Sequence, residues 1–233
     1  MKHYYSIAID GPAASGKSTA AKAVAQMLNF LYVDTGAMYR AFTLLMLEKG
    51  MDCKNREEAK SLLDGLEIEE DEKGHIYLFG KDVSGRVRED DVSQNVSFAC
   101  AHLEVREKMV DLQRKMASSH SVCMDGRDIG TVVLPDATLK IFQVASVEAR
   151  AQRRYQENLE KGYSTASIEE IKKDIQRRDE IDSTRANSPL KQASDAVLLD
   201  TSSMSIEEEI DAILALFRKR VGEETWKHLV QSH

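Results

Sequence analysis

The stretch Gly11-Pro12-Ala13-Ala14-Ser15-Gly16-Lys17-Ser18 constrains this chain more than any other. It fits G-x-x-x-x-G-K-[ST] in full, and its flanks are the ones that motif needs. Tyr4 to Asp10 reads as a short buried strand, stopped by Gly-Pro, and Lys17 to Leu28 as an alanine-rich helix. In that setting the glycines let backbone N–H groups turn inward around a phosphate, and the helix N-terminus adds its positive end. Lys17 then reaches the β- and γ-phosphates, and the Ser18 hydroxyl is a Mg²⁺ ligand. The alternative is a chance glycine turn before a helix, against which the correct flanks weigh. The loop predicts a nucleotide, with Gly11 to Thr19 as its contacts, but does not name the reaction. The chain has no N-K-x-D for guanine, and no acidic pair ends an apolar strand as in helicase-type ATPases. Asp125 does end the apolar run Val122-Cys123-Met124. It reads either as an aid to Mg²⁺ through water or as a loop residue.

The rest of the chain extends an α/β pattern. Leu31 to Val33 is a second strand and Met38 to Lys49 has apolar residues at helical spacing, so a parallel sheet is predicted. Near residue 63 the pattern changes. Leu66 to Glu70 and His75 to Phe79 alternate apolar and polar residues around Glu72-Lys73-Gly74, as small antiparallel strands do. Residues 63–119 read as an insertion that holds this small sheet and then helical material from Asp91 to Ser118. Buried strands resume at Ser121 to Asp125 and Leu139 to Val144, followed by a helix from Val147 to Glu160 and a break at Gly162-Tyr163-Ser164-Thr165. Ser167 with Glu170 and Ser205 with Glu208 are capping boxes, opening helices to about Thr184 and Arg220. Ala196 to Asp200 is a last strand. The tail, 221–233, carries no clear signal.

Composition narrows the partners. With 233 residues, 42% hydrophobic and 30% charged, the chain has the make-up of an ordinary soluble protein. A net charge of -7 lacks the general basic field of a duplex binder, so no nucleic-acid partner is expected. Cys53, Cys100 and Cys123 form no CxxC or Cys/His cluster, so buried free thiols are predicted. The N-terminus lacks the apolar stretch of a signal peptide, and no apolar run approaches the ~20 residues of a membrane span. The expectation is a cytoplasmic protein with no membrane association.

The arginines point to a second anion. Arg150, Arg153 and Arg154 lie at i, i+3 and i+4, and Arg178, Asp182 and Arg185 at i, i+4 and i+7, each set on one helix face. Arg40 follows Asp34-Thr35-Gly36, and Arg127 sits within Asp125-Gly126-Arg127-Asp128-Ile129-Gly130. Each alone reads as a solvated helix face, with Glu148, Glu157 and Glu180 as available partners. Their clustering beside loops that follow strands favours a site. Phosphoryl transfer between two nucleotides neutralises charge on both, which guanidinium groups do through fixed bidentate contacts.

Taken together, these stretches resemble the bacterial-type cytidylate kinase family, of the nucleoside monophosphate kinase group. The matching segments are Ile9-Asp10-Gly11-Pro12 with Gly16-Lys17-Ser18-Thr19, then Asp34-Thr35-Gly36-Ala37-Met38-Tyr39-Arg40 and Asp82-Val83-Ser84-Gly85. Asp125-Gly126-Arg127-Asp128-Ile129-Gly130-Thr131 follows, then Arg178-Asp179, Asp182, Arg185 and Ser188-Pro189-Leu190. The likeness runs through roughly residues 4 to 218, and the second and fourth segments together are specific to the family.

The resemblance implies a three-layer P-loop fold with a central parallel sheet, an inserted monophosphate-binding domain and a short lid. The divisions would be 1–62, 120–154 and 179–220 for the core, 63–119 for the CMP-binding insertion, 155–178 for the lid and 221–233 for the tail. It implies ATP and CMP or dCMP as small-molecule partners, Mg²⁺ as cofactor and a monomer. By resemblance Ser97, Arg106 and Asp128 read the cytosine and Thr35 lies near the nucleotide. Arg178, Asp182 and Arg185 hold the pentose, and Arg40 and Arg127 hold the acceptor phosphate. Arg150, Arg153 and Arg154 are the lid-side group that meets the transferring phosphoryl, with Lys17. The family often bends the helix pair between Ser97 and Arg106 with a proline; here the stretch is Ala101-His102-Leu103-Glu104, and the aim of both side chains depends on that bend. A kinase for UMP or AMP, and a P-loop ATPase or regulatory module with a protein partner, are the competing readings. The arginine surplus and the insertion argue against the latter.

Overall fold

The computed structural model describes residues 4–71, 74–162 and 165–231. The first strand, β1 (Ser6–Asp10), sends Ile7 and Ile9 into one apolar cluster and Ala8 into another, so both of its faces are covered. It lies at the centre of a sheet with β2 (Leu31–Asp34), β6 (Val122–Gly126), β7 (Leu139–Val144) and β8 (Val197–Asp200), in the order β2-β6-β1-β7-β8. Every pairing is parallel. Strands covered on both faces need continuous apolar runs, which Val122-Cys123-Met124 supplies.

On one face of the sheet lie α1 (Lys17–Leu28) and α8 (Ile206–Val221), where Ala20, Ala21 and Val24 meet Ile213 and Phe217 over Ile7, Ile9 and Ile141. Phe30 and Phe217 cross edge to face at 5.7 Å between ring centroids. On the other face lies α2 (Thr35–Glu48), packed over Ala8, Val33 and Met124. The parallel sheet is the one the strand pattern predicts, and its covering by helices on both faces is the three-layer α/β arrangement the resemblance implies.

Between α2 and β6 the chain leaves the sheet. After a short helix α3 (Arg56–Ser61), capped by Asn55, it forms β3 (Ile68–Glu70), β4 (Ile76–Leu78) and β5 (Lys81–Asp82), paired antiparallel with Ile68 opposite Leu78. A single 3-10 turn, Arg86–Arg88, then leads into α4 (Asp90–Ala99) and α5 (Leu103–Ala117). Leu66, Ile76, Val92 and Val105 share one buried cluster with Met38, Phe42 and Met46 of α2, so this segment is packed directly on the core. The break between α4 and α5 forms without a proline. The His102 ring Nε2 lies 2.9 Å from the Cys53 carbonyl oxygen and fixes the chain there.

Beyond a π-helical turn at Ile129–Val133, the last part holds α6 (Val147–Lys161) and α7 (Ile168–Thr184), packed through Ala151, Ile171 and Ile175. Gly162 ends α6 in the left-handed region, φ 65°. Both capping boxes, Ser167 with Glu170 and Ser205 with Glu208, are formed. Tyr163 and Ser164 of the expected break, and Glu72 and Lys73 of the expected turn, lie outside the described residues. The tail, which carried no signal in the sequence, forms α9 (Glu223–Gln231); Trp226 and Leu229 pack on the cluster of α1 and α8. Cys53, Cys100 and Cys123 are buried free thiols. Among the described residues no helix is long and apolar enough to cross a membrane.

Candidate active site

The phosphate loop is set by contacts from behind it. A side chain at Gly11 would place its Cβ 2.0 Å from the Gln143 carbonyl oxygen, so the loop passes β7 only as glycine. Gly16, at φ 92°, turns the chain into α1. Gln143 Nε2 and Arg153 Nη1 both donate to the Ser15 carbonyl, at 2.6 and 3.1 Å. Lys17 is buried and curls over the loop, donating to the Pro12 carbonyl at 2.7 Å and to Ser15 Oγ at 3.2 Å. Burial, and then the neighbouring Arg127, push its pKa down to about 7. Ser18 Oγ donates to Asp125 Oδ2 at 2.8 Å, and the Tyr32 hydroxyl donates to Asp125 Oδ1 at 2.8 Å. Burial and the nearby Asp34 raise the Asp125 pKa.

A cavity of about 1660 Å³ opens from this loop. Single-ligand pockets are typically about 300–1,000 Å³, so there is room here for two nucleotides. Ala13 to Thr19 line it at one end. Arg153, whose Nη1 bonds the Ser15 carbonyl, lies beside that end. Thr35, Arg40, Arg127, Arg154, Arg178 and Asp182 line the cavity too, as do Ser97, Arg106, Asp128 and Arg185. Gly11, Pro12 and Arg150 do not reach it.

The cavity holds a crowded cationic field. Asp34 caps α2 through the Ala37 N–H at 2.7 Å and pairs with Arg40 at 3.2 Å and Arg88 at 2.7 Å. Burial opposes the Asp34 charge, yet those two arginines hold its pKa down at about 2. Burial, then Arg88, Arg178 and Arg154, lower the Arg40 pKa to about 10. Arg178 is likewise lowered by burial and by Arg127. The Nε atoms of Arg40 and Arg178 are buried and make no hydrogen bond among the described residues. Mutually repelling guanidinium groups with unused donors make a site for a polyanion.

Arg106 and Asp128, both almost wholly buried, meet at 2.5 Å. The Arg106 guanidinium also lies over the Tyr39 ring, 5.3 Å from its centroid. Asp182 accepts from Arg127 Nε at 2.9 Å and from Arg185 Nη1 at 3.4 Å, so its carboxylate braces two arginines. The Thr35 hydroxyl donates to the Asp125 carbonyl at 2.6 Å, beneath the cavity wall.

The three arginines of α6 part company. Arg154 lines the cavity and pairs with Glu157 at 3.1 Å. Arg153 lines it too, with its guanidinium on the carbonyls of Thr201 and Met204 at 2.5 and 3.2 Å. Arg150, only 5% exposed, does not line the cavity: it bonds the carbonyls of Ala145 and Ala13 and the Asp179 carboxylate behind the loop. Helical spacing shows a shared face but not what packs on it. Four participants were missed in the sequence. Arg88 follows Asp82-Val83-Ser84-Gly85, Tyr39 and Asp34 lie inside the motif that ends in Arg40, and Asp179 adjoins Arg178. Position inside those motifs, or within three residues of one for Arg88, was the available signal.

The family model for cytidylate kinase matches residues 7–219. The chain belongs to the cytidylate kinase family. A cytidylate kinase of Oceanobacillus iheyensis is 51% identical over 217 residues, covering 92% of this chain and 94% of that one. A cytidylate kinase of Bacillus cytotoxicus is 50% identical over 219 residues, covering 93% and 97%. Another from Shouchella clausii is 49% identical over 222 residues, covering 94% and 98%. A solved structure of an uncharacterised protein from Eubacterium ventriosum shares the fold, at a TM-score of 0.51 and 14% identity over 93% of this chain and 99% of that one.

Proposed function

We propose that this member of the cytidylate kinase family transfers the γ-phosphoryl group of ATP to CMP or dCMP, giving ADP and CDP or dCDP, within pyrimidine nucleotide metabolism in the cytoplasm. The observation that carries the reading is one continuous cavity that joins the phosphate loop, through a field of arginines, to the buried Arg106–Asp128 pair. A carboxylate accepts from the cytosine N4 amino group and a guanidinium donates to N3 or O2. Uracil would set its O4 acceptor against the carboxylate. Sites built on such hydrogen bonds discriminate by up to ~10⁴-fold.

In this reading the loop from Gly11 to Thr19 and Lys17 bind the donor phosphates. Arg40, Arg127 and Arg178, with Arg88 behind them, hold the acceptor phosphate in line. Ser97, Arg106 and Asp128 read the base beside Thr35, and Arg178, Asp182 and Arg185 orient the pentose. Arg153 and Arg154 flank the transferring group. An acceptor phosphate oxygen attacks the γ-phosphorus while the bond to the ADP oxygen breaks. No covalent enzyme intermediate and no general base are called for, because positioning and charge neutralisation carry the step. Ser18 and Asp125 are the residues that would hold Mg²⁺; a hydroxyl and a carboxylate side by side are hard oxygen donors of the kind it takes with phosphates and water. That ion would neutralise charge on the β- and γ-phosphate oxygens. The segment 63–119 is read as the acceptor-binding unit and 155–178 as the lid, which close to exclude water. The protein is read as a monomer.

The test is ADP formation with CMP, dCMP, UMP, AMP and no acceptor, each with Mg²⁺. CMP and dCMP should dominate. Equal rates with UMP would sink the base reading, and equal rates without acceptor would sink the kinase.

A further inference from the structure

Asp179 stands at a junction that neither half of the proposed site accounts for. It lies on α7 next to Arg178, whose side chain lines the cavity in the cationic field. Its own carboxylate turns the other way. Asp179 Oδ1 accepts the Ala13 backbone N–H at 3.0 Å, and Oδ2 accepts from Arg150 Nη1 at 2.5 Å. The same Arg150 nitrogen donates to the Ala13 carbonyl at 3.0 Å, and Arg150 Nε to the Ala145 carbonyl at 3.0 Å. Ala13, at the mouth of the phosphate loop, is therefore held by both of its backbone groups: the N–H from α7 directly, the C=O through Arg150 of α6. Arg150 is nearly fully buried, so the contact does not exchange freely with solvent. The Ser15 carbonyl is held separately, by Gln143 of β7, Arg153 of α6 and the Thr201 hydroxyl, and Ser18 is held by Asp125 of β6.

We infer that Asp179 and Arg150 are positioning residues that couple the acceptor site to the donor loop. The inference rests on the proposed assignment of Arg178 to the acceptor. An anion drawn onto Arg178 pulls on a turn of α7 whose next residue grips the Ala13 N–H. Arg150 makes the grip two-sided, so the loop follows the helix in place of letting go of it. A filled acceptor site then presets the loop mouth for the triphosphate, and the triphosphate by reciprocity favours the acceptor.

The experiment is calorimetric binding of β,γ-imido-ATP, which does not transfer its phosphoryl group, with and without saturating CMP. The proteins are the wild type, Asp179→Asn and Arg150→Lys. Asp179→Asn conserves volume and leaves an oxygen for Ala13, but removes the charge that Arg150 engages; Arg150→Lys conserves charge but loses the fork that reaches two partners. CMP should tighten analogue binding about 10-fold in the wild type and under 2-fold in both variants, each measured well below its own melting temperature. A brace with no coupling role would weaken binding by one factor whether or not CMP is present. An unchanged ratio in the variants, or no ratio in the wild type, overturns the inference while leaving the proposed reaction standing. Absence of CMP binding in the wild type removes the acceptor assignment, and the inference with it.

Discussion

Lys17 offers the sharpest measurement. In the free protein its ammonium is buried against its own loop with Arg127 nearby, and its pKa is about 7. At pH 8 such a group is about nine-tenths neutral, at pH 7 about half, at pH 6 about one-tenth. A bound triphosphate brings negative charge to it and restores the protonated form. The sign follows from linkage: a basic group whose pKa rises on binding takes up protons, here between the free value near 7 and the higher value in the complex. ATP binding should take up about 0.9 proton at pH 8, where the terminal phosphate is already fully ionised. The titration is made with a chelator present, so that no metal ion contributes to the proton count. The assay is calorimetry in buffers of differing ionisation enthalpy, in which the slope of observed enthalpy gives the proton count. A slope near zero at pH 8, or a full slope that persists in Lys17→Met, would refute the argument that burial holds this lysine neutral.

Two further outcomes are expected. Gly126→Ala places a Cβ 2.6 Å from Thr35 Oγ1 and 2.7 Å from Ile129 Cδ1, between the cavity wall and the π-helical turn. Overpacking there should cost about 1–3 kcal/mol, read as a melting temperature lower by several degrees. Asp128→Asn replaces a pure acceptor with a group that also donates, and leaves Arg106 without its charged partner. It should lower kcat/KM for CMP about 10- to 100-fold, equivalent to about 1.4–2.7 kcal/mol, and narrow the preference over UMP; an unchanged CMP to UMP ratio would remove Asp128 from base reading.

What was legible in the sequence was local. The strand, glycine loop and helix around Gly11 to Ser18 are contiguous, so spacing alone fixed their order. The capping boxes at Ser167 and Ser205, and the alternation of Ile68 against Glu69, are decided within a few residues. Long-range facts were not available. Nothing in Asp34 announces that Arg88 closes on it, and nothing in Arg150 distinguishes it from Arg154, because the difference is what packs over each after folding. The bend at His102 was invisible because its partner, the Cys53 carbonyl, belongs to a distant loop. The helix Arg56–Ser61 is too short to show apolar periodicity, and only its Asn55 cap betrays it. The proposed roles of Ser97, Arg106 and Asp128 came from family likeness, since no spacing rule joins three residues on two helices and a loop.

The strand order has a kinetic consequence. Every pairing in the large sheet joins distant chain segments: Ser6 with Val122, Ile7 with Leu139, Leu31 with Val122, Ile141 with Val197. By contrast, β3 meets β4 across a turn, Ile68 with Leu78. Loop closure must be met before such distant pairs reward it, so chains of this topology fold slowly. Helices α1 and α2 and the hairpin therefore have access to early order, while the nest around Ser15 waits for β1, β6 and β7 to assemble. During refolding, recovery of nucleotide binding should lag recovery of helical signal, so that the phosphate loop reports the last step and not the first.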